Sequence, residues 1–268
     1  MDLREKITIG VCSPGQWHAM FATSIIDIAR SQSQLGQLIS LEGSGVISRL
    51  RNQVVATFLE KTTDDWLLQI DTDQIFTIDA FKKLIAAADK DERPIVSGIV
   101  HAAWDTANLY PEPVPCVFKV GEDGGLFAMH EYPEDSIVEI DAAGTGCIIV
   151  HRRVLEEMRD KADQVHEGDK WGWYRDMPLN LSWVGEDIFW SIRVKALGYK
   201  MYAHTGVQLP HKRSYWLKRE HHTDYARFGG ARHQSAQQEI DIANKVGYGD
   251  LQHTNNSDDD STGNSKSG

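Results

Sequence analysis

The chain has 268 residues, 41% of them apolar, and a formal net charge of -11. That length is enough for one large α/β domain or two small ones with a sizeable core. The negative field repels polyanions and excludes a general nucleic-acid footprint, so an anionic substrate needs a metal or a local basic cluster.

In chain order, ITIGVCS (Ile7 to Ser13) reads as a buried strand, followed by a turn at Pro14-Gly15 and an amphipathic helix with Phe21, Ile25 and Ile28 on one face. QLISL is a short second strand. SGVISRLRNQVVATFLEK is the next helix, with Leu50, Val54 and Phe58 at helical spacing, backed by Val55 and Leu59. DWLLQI forms a third strand that gives way at Asp71. Thr77 then reads as the N-cap of a helix whose buried stripe is Ile78, Phe81 and Ile85. RPIVSGIV makes a fourth strand. Strands alternating with helices in this way predict a mostly parallel sheet covered on both faces.

From Pro111 the rhythm changes. VPCVFKV, GGLFAMHEY, SIVEIDAAG and GCIIVHRRV read as strands joined by short turns, which predicts a mixed or antiparallel half. The helix VLEEMRDKA and an irregular aromatic stretch, HEGDKWGWYRDMPLNLSWVG, follow. The helix EDIFWSIRVKAL is stopped by Gly198 and leads to the strand YKMYAHT; its inner face is read as Phe189, Ile192 and Ala196. NNSDDDSTGNSKSG at the end has no apolar side chain to bury and is expected to be disordered. Cys12, Cys116 and Cys147 are odd in number, far apart and without C-x-x-C spacing, so neither a disulfide framework nor a zinc site is implied. No stretch approaches the ~18 apolar residues of a membrane span, and a soluble, cytoplasmic protein is expected.

Three motifs carry chemistry. In LLQIDTDQIF, Asp71 and Asp73 are two residues apart and project to one side of an extended segment. At the carboxyl end of a strand they suit Mg2+ or Mn2+ bound together with substrate phosphates, or they simply end the strand and shape a turn. Glu186 and Asp187 open a helix, where carboxylates either satisfy free N–H groups or serve as a general base. His211, beside a proline, reads as an ordinary histidine or as an imidazole completing a carboxylate metal site.

Taken in order, the strand into D-x-D, AAGTGCIIVHRRVLE, and VGEDIFWSIRVKALGYKMYAH followed by a histidine resemble GT-A glycosyltransferases, closest in pattern to family 2 enzymes, from about Ile7 to His211. The resemblance implies a GT-A-type α/β fold: a mixed, mostly parallel sheet flanked by helices, with a smaller antiparallel acceptor-side sheet. It places the transferase domain at 1–215, a helical extension at 216–250 and a disordered polar tail at 251–268. It implies Asp71, Asp73 and His211 as metal ligands for Mn2+ or Mg2+. Asp71, Ser13 and Pro14 fall on the donor side; Arg51 and Asn52 resemble an Arg-Asn pair near the donor site of such enzymes, an exposed polar helix face being the alternative; and Asp187 is the base with Glu186 beside it. Gly144, Thr145 and Gly146 match a small-residue turn on the acceptor side; a plain β-turn is the alternative. Trp171, Trp173 and Trp183 suit either stacking on a sugar or acceptor, or a hydrophobic clasp for their loop.

The implied reaction is metal-dependent transfer of a hexosyl or related sugar from a nucleoside-diphosphate sugar to an acceptor hydroxyl, with inversion. The acceptor is open among protein, glycan, lipid-linked and modified nucleic-acid hydroxyls. The basic and aromatic run HKRSYWLKREHH reads as a solvated face or as a contact for diphosphate or nucleic acid. Two other functions are compatible with the motifs: a haloacid-dehalogenase-like phosphohydrolase, whose D-x-D normally sits on the first core strand, and a decayed sugar-binding module.

Overall fold

The computed structural model describes residues 1, 5–43, 45–104, 110–122, 124–161, 172–179 and 182–229. Met1–Ser214 and Tyr215–Gly268 are two units.

In the first unit the chain runs β1 (Ile7–Ser13), α1 (Ala19–Ser31), β2 (Leu35–Glu42), α2 (Ile47–Lys61), β3 (Trp66–Asp71), α3 (Ile78–Ala87) and β4 (Ile95–Trp104). Short strands follow: β5 (Glu112–Pro115), β6 (Val117–Val120), β7 (Leu126–Ala128), β8 (Ile137–Ile140), β9 (Ala142–Ala143) and β10 (Cys147–His151). The unit ends with α4 (Arg152–Asp160), β11 (Met177–Leu179), β12 (Ser182–Val184), α5 (Glu186–Ala196) and β13 (Met201–Leu209).

Among the described residues the main sheet has eight strands in the order β2-β1-β3-β10-β4-β13-β8, with β5 beside β4. β1, β2, β3, β4 and β13 run one way; β10, β8 and β5 run the other. The expected mostly parallel sheet with a small antiparallel one is therefore present, the latter being β7-β6-β9. The detail that alternation of strands and helices does not predict is β10, which enters antiparallel between β3 and β4.

Helices cover both faces. Phe21, Ile25 and Ile28 of α1 and Phe81, Leu84 and Ile85 of α3 pack with Ile9, Leu68 and Ile149 on one side. On the other, Val54 and Phe58 of α2, Leu155 and Met158 of α4, and Trp190 and Val194 of α5 pack with Leu67, Ile148 and Val150. The residues of β3 alternate between these cores, as a pleated strand requires. Trp66, Leu68 and Ile70 face α1 and α3, so the intervening positions, which end in Asp71, face α2.

Thr77 caps α3 as expected, its side chain accepting from the Ala80 N–H at 3.1 Å. The inner face of α5 is not the expected one. Ile192 and Ala196 are exposed, and the buried positions are Trp190, Ser191 and Val194. They continue a stripe that starts at Asp187, at the i, i+3, i+4, i+7 spacing of one helical face. The aromatic stretch read as irregular contains a short hairpin, in which Pro178 pairs with Trp183.

The carboxyl end of α2 is closed by a side chain ninety residues further on. Arg152 donates to the carbonyls of Asp64 (2.7 Å), Thr62 (3.1 Å), Phe58 (3.3 Å) and Leu59 (3.4 Å), and its guanidinium lies 4.2 Å over the Phe58 ring. A cation there satisfies carbonyls that a helix end leaves without partners and opposes the negative end of its dipole.

In the second unit, α6 (Arg219–Asp224) runs into a single π-helical turn (Tyr225–Gly229). Tyr215 packs on His221, whose Nδ1 accepts from the Lys218 N–H, while Trp216 and Leu217 are exposed. The tail at 251–268 and most of the extension lie outside the described residues. Among the described residues, no helix is long and apolar enough to cross a membrane.

Replacing Arg152 by alanine should lower the unfolding free energy by about 2 kcal/mol, the scale of hydrogen bonds made by a charged group. The effect is read as a lower urea midpoint at unchanged slope. Lys200→Ala, which removes an exposed ion pair with Glu139, is the control and should leave the midpoint where it is.

Candidate active site

β3 ends at Asp71, whose register partner on β1 is Cys12. The Asp71 N–H donates to the Gly146 carbonyl at 3.0 Å, so the turn Gly144-Thr145-Gly146, between β9 and β10, sits directly beyond the strand end. β10 is antiparallel to β3, and this is what brings its entry turn to the carboxyl end of β3.

The turn has little space for side chains. A β-carbon on Gly146 would lie 2.5 Å from Gln74 Nε2 and 3.2 Å from Asp71 Oδ2, and one on Gly144 would lie 3.1 Å from the Cys116 β-carbon. A side chain at Gly146 would have to displace the Gln74 amide, so this packing favours glycine there independently of any substrate. Gln74, which the sequence did not single out, is 1% exposed, and neither polar atom of its amide has a protein partner.

The central cation is Arg51 of α2, with 7% of its side chain exposed. Its Nη2 donates to Asp71 Oδ1 at 3.1 Å, its Nε to Glu186 Oε1 at 3.3 Å and its Nη1 to the Thr145 carbonyl at 3.2 Å. Burial opposes the Arg51 charge, but Asp71 and the other anionic neighbours outweigh it and its pKa moves up. One guanidinium thus ties together the end of β3, the glycine turn and the start of α5.

Asn52, expected on the donor side, does something else. Its amide donates to the Tyr174 carbonyl and accepts from the Tyr174 N–H, both at 2.8 Å. Its polar atoms are committed to the backbone of the aromatic segment. The Tyr174 hydroxyl in turn accepts from Gln69 Nε2 at 2.5 Å, and its ring stacks on Trp190 at 5.8 Å. Trp173 is buried, with its indole N–H on the Leu155 carbonyl, so its part is the clasp and not a stacking platform. Trp171 lies outside the described residues. Trp183, on β12 and four residues before Asp187, is 73% exposed.

Glu186 and Asp187 do not act as the N-cap of α5; that position is Gly185, which makes no side-chain cap. Glu186 faces Arg51. Asp187 Oδ1 accepts from the Ile188 N–H at 2.7 Å, and a β-carbon on Gly144 would lie 3.5 Å from its Oδ2. Ser191 Oγ donates to the Asp187 carbonyl and accepts from the Ala143 N–H, which fixes the helix start against β9. Burial raises the Asp187 pKa above the ordinary carboxylate value, against the Ile188 hydrogen bond and the Arg51 charge. Burial, then repulsion from Asp187, raises that of Glu186.

The third motif assembles a little further along the same edge. Asp73 and Gln74 run alongside His211: Gln74 bridges His211, Ile75 N–H donates to the Pro210 carbonyl, and Lys212 N–H donates to that of Asp73. His211 Nε2 is 3.2 Å from Asp73 Oδ2, and its Nδ1 is 2.9 Å from the His101 carbonyl. A carbonyl and an ionised carboxylate both only accept, so His211 carries a proton on each nitrogen while it makes these two bonds, and a cation at Nε2 would take the place of that proton. Burial works to raise the Asp73 pKa, but the His211 hydrogen bond with the His211 and Arg213 charges holds it below the ordinary value. The same hydrogen bond lifts that of His211.

The three expected metal ligands do not converge. Asp71 turns to Arg51, Asp73 pairs with His211, and among the described residues no group of three or more His, Cys, Asp and Glu side chains is placed to hold one metal ion. A carboxylate plus an imidazole whose far nitrogen is locked on a carbonyl still fits a hard divalent cation that takes its remaining ligands from water and substrate phosphates. Ser13 and Pro14 follow Cys12 at the same end of the sheet; Ser13 is buried, its Oγ accepting from the Gly15 N–H, and Pro14 is exposed.

No protein-family profile matches the chain, and no curated protein matches it in sequence. Its fold is similar to that of A197 from STIV, with 16% identity, a TM-score of 0.51, and coverage of 78% of this chain and 86% of that one. It is similar also to GalNAc-T7 solved with UDP, GalNAc and Mn2+, with 9% identity, a TM-score of 0.52, and coverage of 78% and 43%. This chain therefore spans less than half of the GalNAc-T7 chain. The fold is of the GT-A type.

Asn52→Ala would leave the buried Tyr174 N–H and carbonyl unpaired, which should cost about 1–3 kcal/mol. Amide hydrogen exchange should rise in the segment around Trp173 to Arg175 and stay unchanged in the cores of β1 and β3.

Proposed function

We propose that the protein is a glycosyltransferase that moves a sugar from a nucleoside-diphosphate sugar to an acceptor hydroxyl. The observation that carries this reading is the joining of two acidic motifs, 115 residues apart, by one buried arginine at the carboxyl end of the sheet, where open α/β sheets bind ligands. The phosphohydrolase alternative calls for D-x-D on the first core strand, whereas here it ends β3, between β1 and β10.

In this reading the donor lies over the ends of β1 and β3, near Ser13, Pro14 and Asp71. Asp73 and His211 would hold Mn2+ or Mg2+; the structural neighbour GalNAc-T7 was solved with Mn2+ and UDP. Such a cation would supply positive charge to the departing diphosphate. Asp187 takes the proton of the acceptor hydroxyl as that oxygen bonds to the anomeric carbon and the bond to the diphosphate breaks, which inverts the anomeric centre. Its raised pKa makes it a stronger base than an exposed aspartate. The exposed indole of Trp183 flanks the acceptor side.

Unfolding temperatures with UDP, GDP, CDP, ADP and dTDP, each with and without Mn2+, test the donor site. A nucleotide at ~100 times its dissociation constant adds about 2.7 kcal/mol, a rise of several degrees. A rise for one nucleotide that needs Mn2+ and is lost in His211→Ala is the expected result. No rise with any of them refutes the transferase reading.

Asp187→Asn separates chemistry from stability. Because folding raises this pKa, ionised Asp187 costs stability at any pH above it, and the amide removes that cost. The variant should lose transfer while its unfolding temperature at neutral pH does not fall. In the wild type, transfer should fall on the acid side as pH drops through the raised pKa, so the acid limb stands above 3.8, the ordinary aspartate value.

A further inference from the structure

The guanidinium of Arg51 donates hydrogen bonds to three separate elements. Asp71 belongs to the donor side, Glu186 opens the helix that carries Asp187, and the Thr145 carbonyl belongs to the turn between β9 and β10. Two carboxylates share one buried cation, at 3.1 and 3.3 Å. Asp71 is the more open of them, with 29% of its side chain exposed against 14% for Glu186. A ligand that engages Asp71 therefore competes for a carboxylate on which Arg51 depends, and what Asp71 releases falls to Glu186.

We propose that Arg51 is a positioning residue that couples the two halves of the site: occupation of the donor side at Asp71 strengthens the Arg51–Glu186 contact and so sets the start of α5, with Asp187, for the acceptor. The proposal rests on the transferase reading. It makes Arg51 a linker between substrates in place of the donor ligand that its resemblance to an Arg-Asn pair implies. A planar guanidinium has the fork of donors this role needs, and a lysine ammonium, a single point charge, does not. Coupling of this kind is reciprocal, so a change at Glu186 alters affinity at the donor side.

The test is a double-mutant cycle on nucleotide affinity, with whichever of UDP, GDP, CDP, ADP and dTDP binds the wild type in the presence of Mn2+ as the probe. Glu186→Gln should change the dissociation constant of that nucleotide about five-fold or more in the wild type and have no effect in Arg51→Lys. The same change in both backgrounds, or none in either, would overturn the coupling while leaving the transferase reading intact. Failure of every nucleotide to bind overturns both. If Arg51→Lys does not fold, hydrogen exchange in Asp71→Asn carries the decision without any nucleotide. The amides of Asp187, Ile188 and Phe189 should change their exchange rates although Asp71 makes no hydrogen bond to α5; unchanged rates refute the coupling.

Discussion

One buried positive charge organises the candidate site. Arg51 leaves water only because Asp71, Glu186 and the Thr145 carbonyl meet its nitrogens, and the two carboxylates tolerate their own burial only because Arg51 is there. Such a set is tightly interdependent, since removing one partner strands the others in a medium that solvates charge poorly. The arrangement has one more negative charge than positive, and Asp187 adds another. Burial first, and repulsion among these carboxylates second, gives Glu186 and Asp187 their raised pKa values, and the surplus of negative charge leaves the site receptive to a cation.

The fold supplies the geometry through one departure from simple alternation. With β10 inserted antiparallel beside β3, the turn that precedes it lands at the carboxyl end of a parallel strand, where its carbonyls meet Asp71 and Arg51. The glycines of that turn lie close against the side chains of Gln74 and Cys116. The Asp73–His211 pair forms because the segment after β3 runs beside the one after β13.

Much of this was legible in the sequence. The apolar spacing in α1, α2 and α3 identified the faces that pack, Thr77 announced a helix start, and D-x-D, E-D and the later histidine were found as motifs at the correct end of the sheet. What sequence reading could not deliver were features whose partners are remote in the chain. Arg51 and Asn52 look like a solvated helix face, yet their partners are residues 71, 145, 174 and 186. On α5 the hydrophobic spacing pointed to Phe189, Ile192 and Ala196, because the face that turns inward begins with Asp187 and carries Ser191, two polar residues held by hydrogen bonds. A pattern scored on hydrophobicity rotates such a helix the wrong way. Trp173 and Trp183, ten residues apart, have opposite fates, one in the core and one in solvent, and no local period separates them.

The late arrival of β10 also bears on how the chain is made. When a ribosome has released residues up to about the end of β4, the strands meant to flank β10 are present without it, and β3 has on that side a row of unpaired backbone groups. Synthesis must continue through a further stretch of short strands before Cys147–His151 can fill the gap, and Arg152, the closure for α2, comes immediately after. Pairing across so many residues is slow compared with local helix formation. Until that five-residue strand has been made, β3 and β4 lack the native partner that lies between them in the finished sheet.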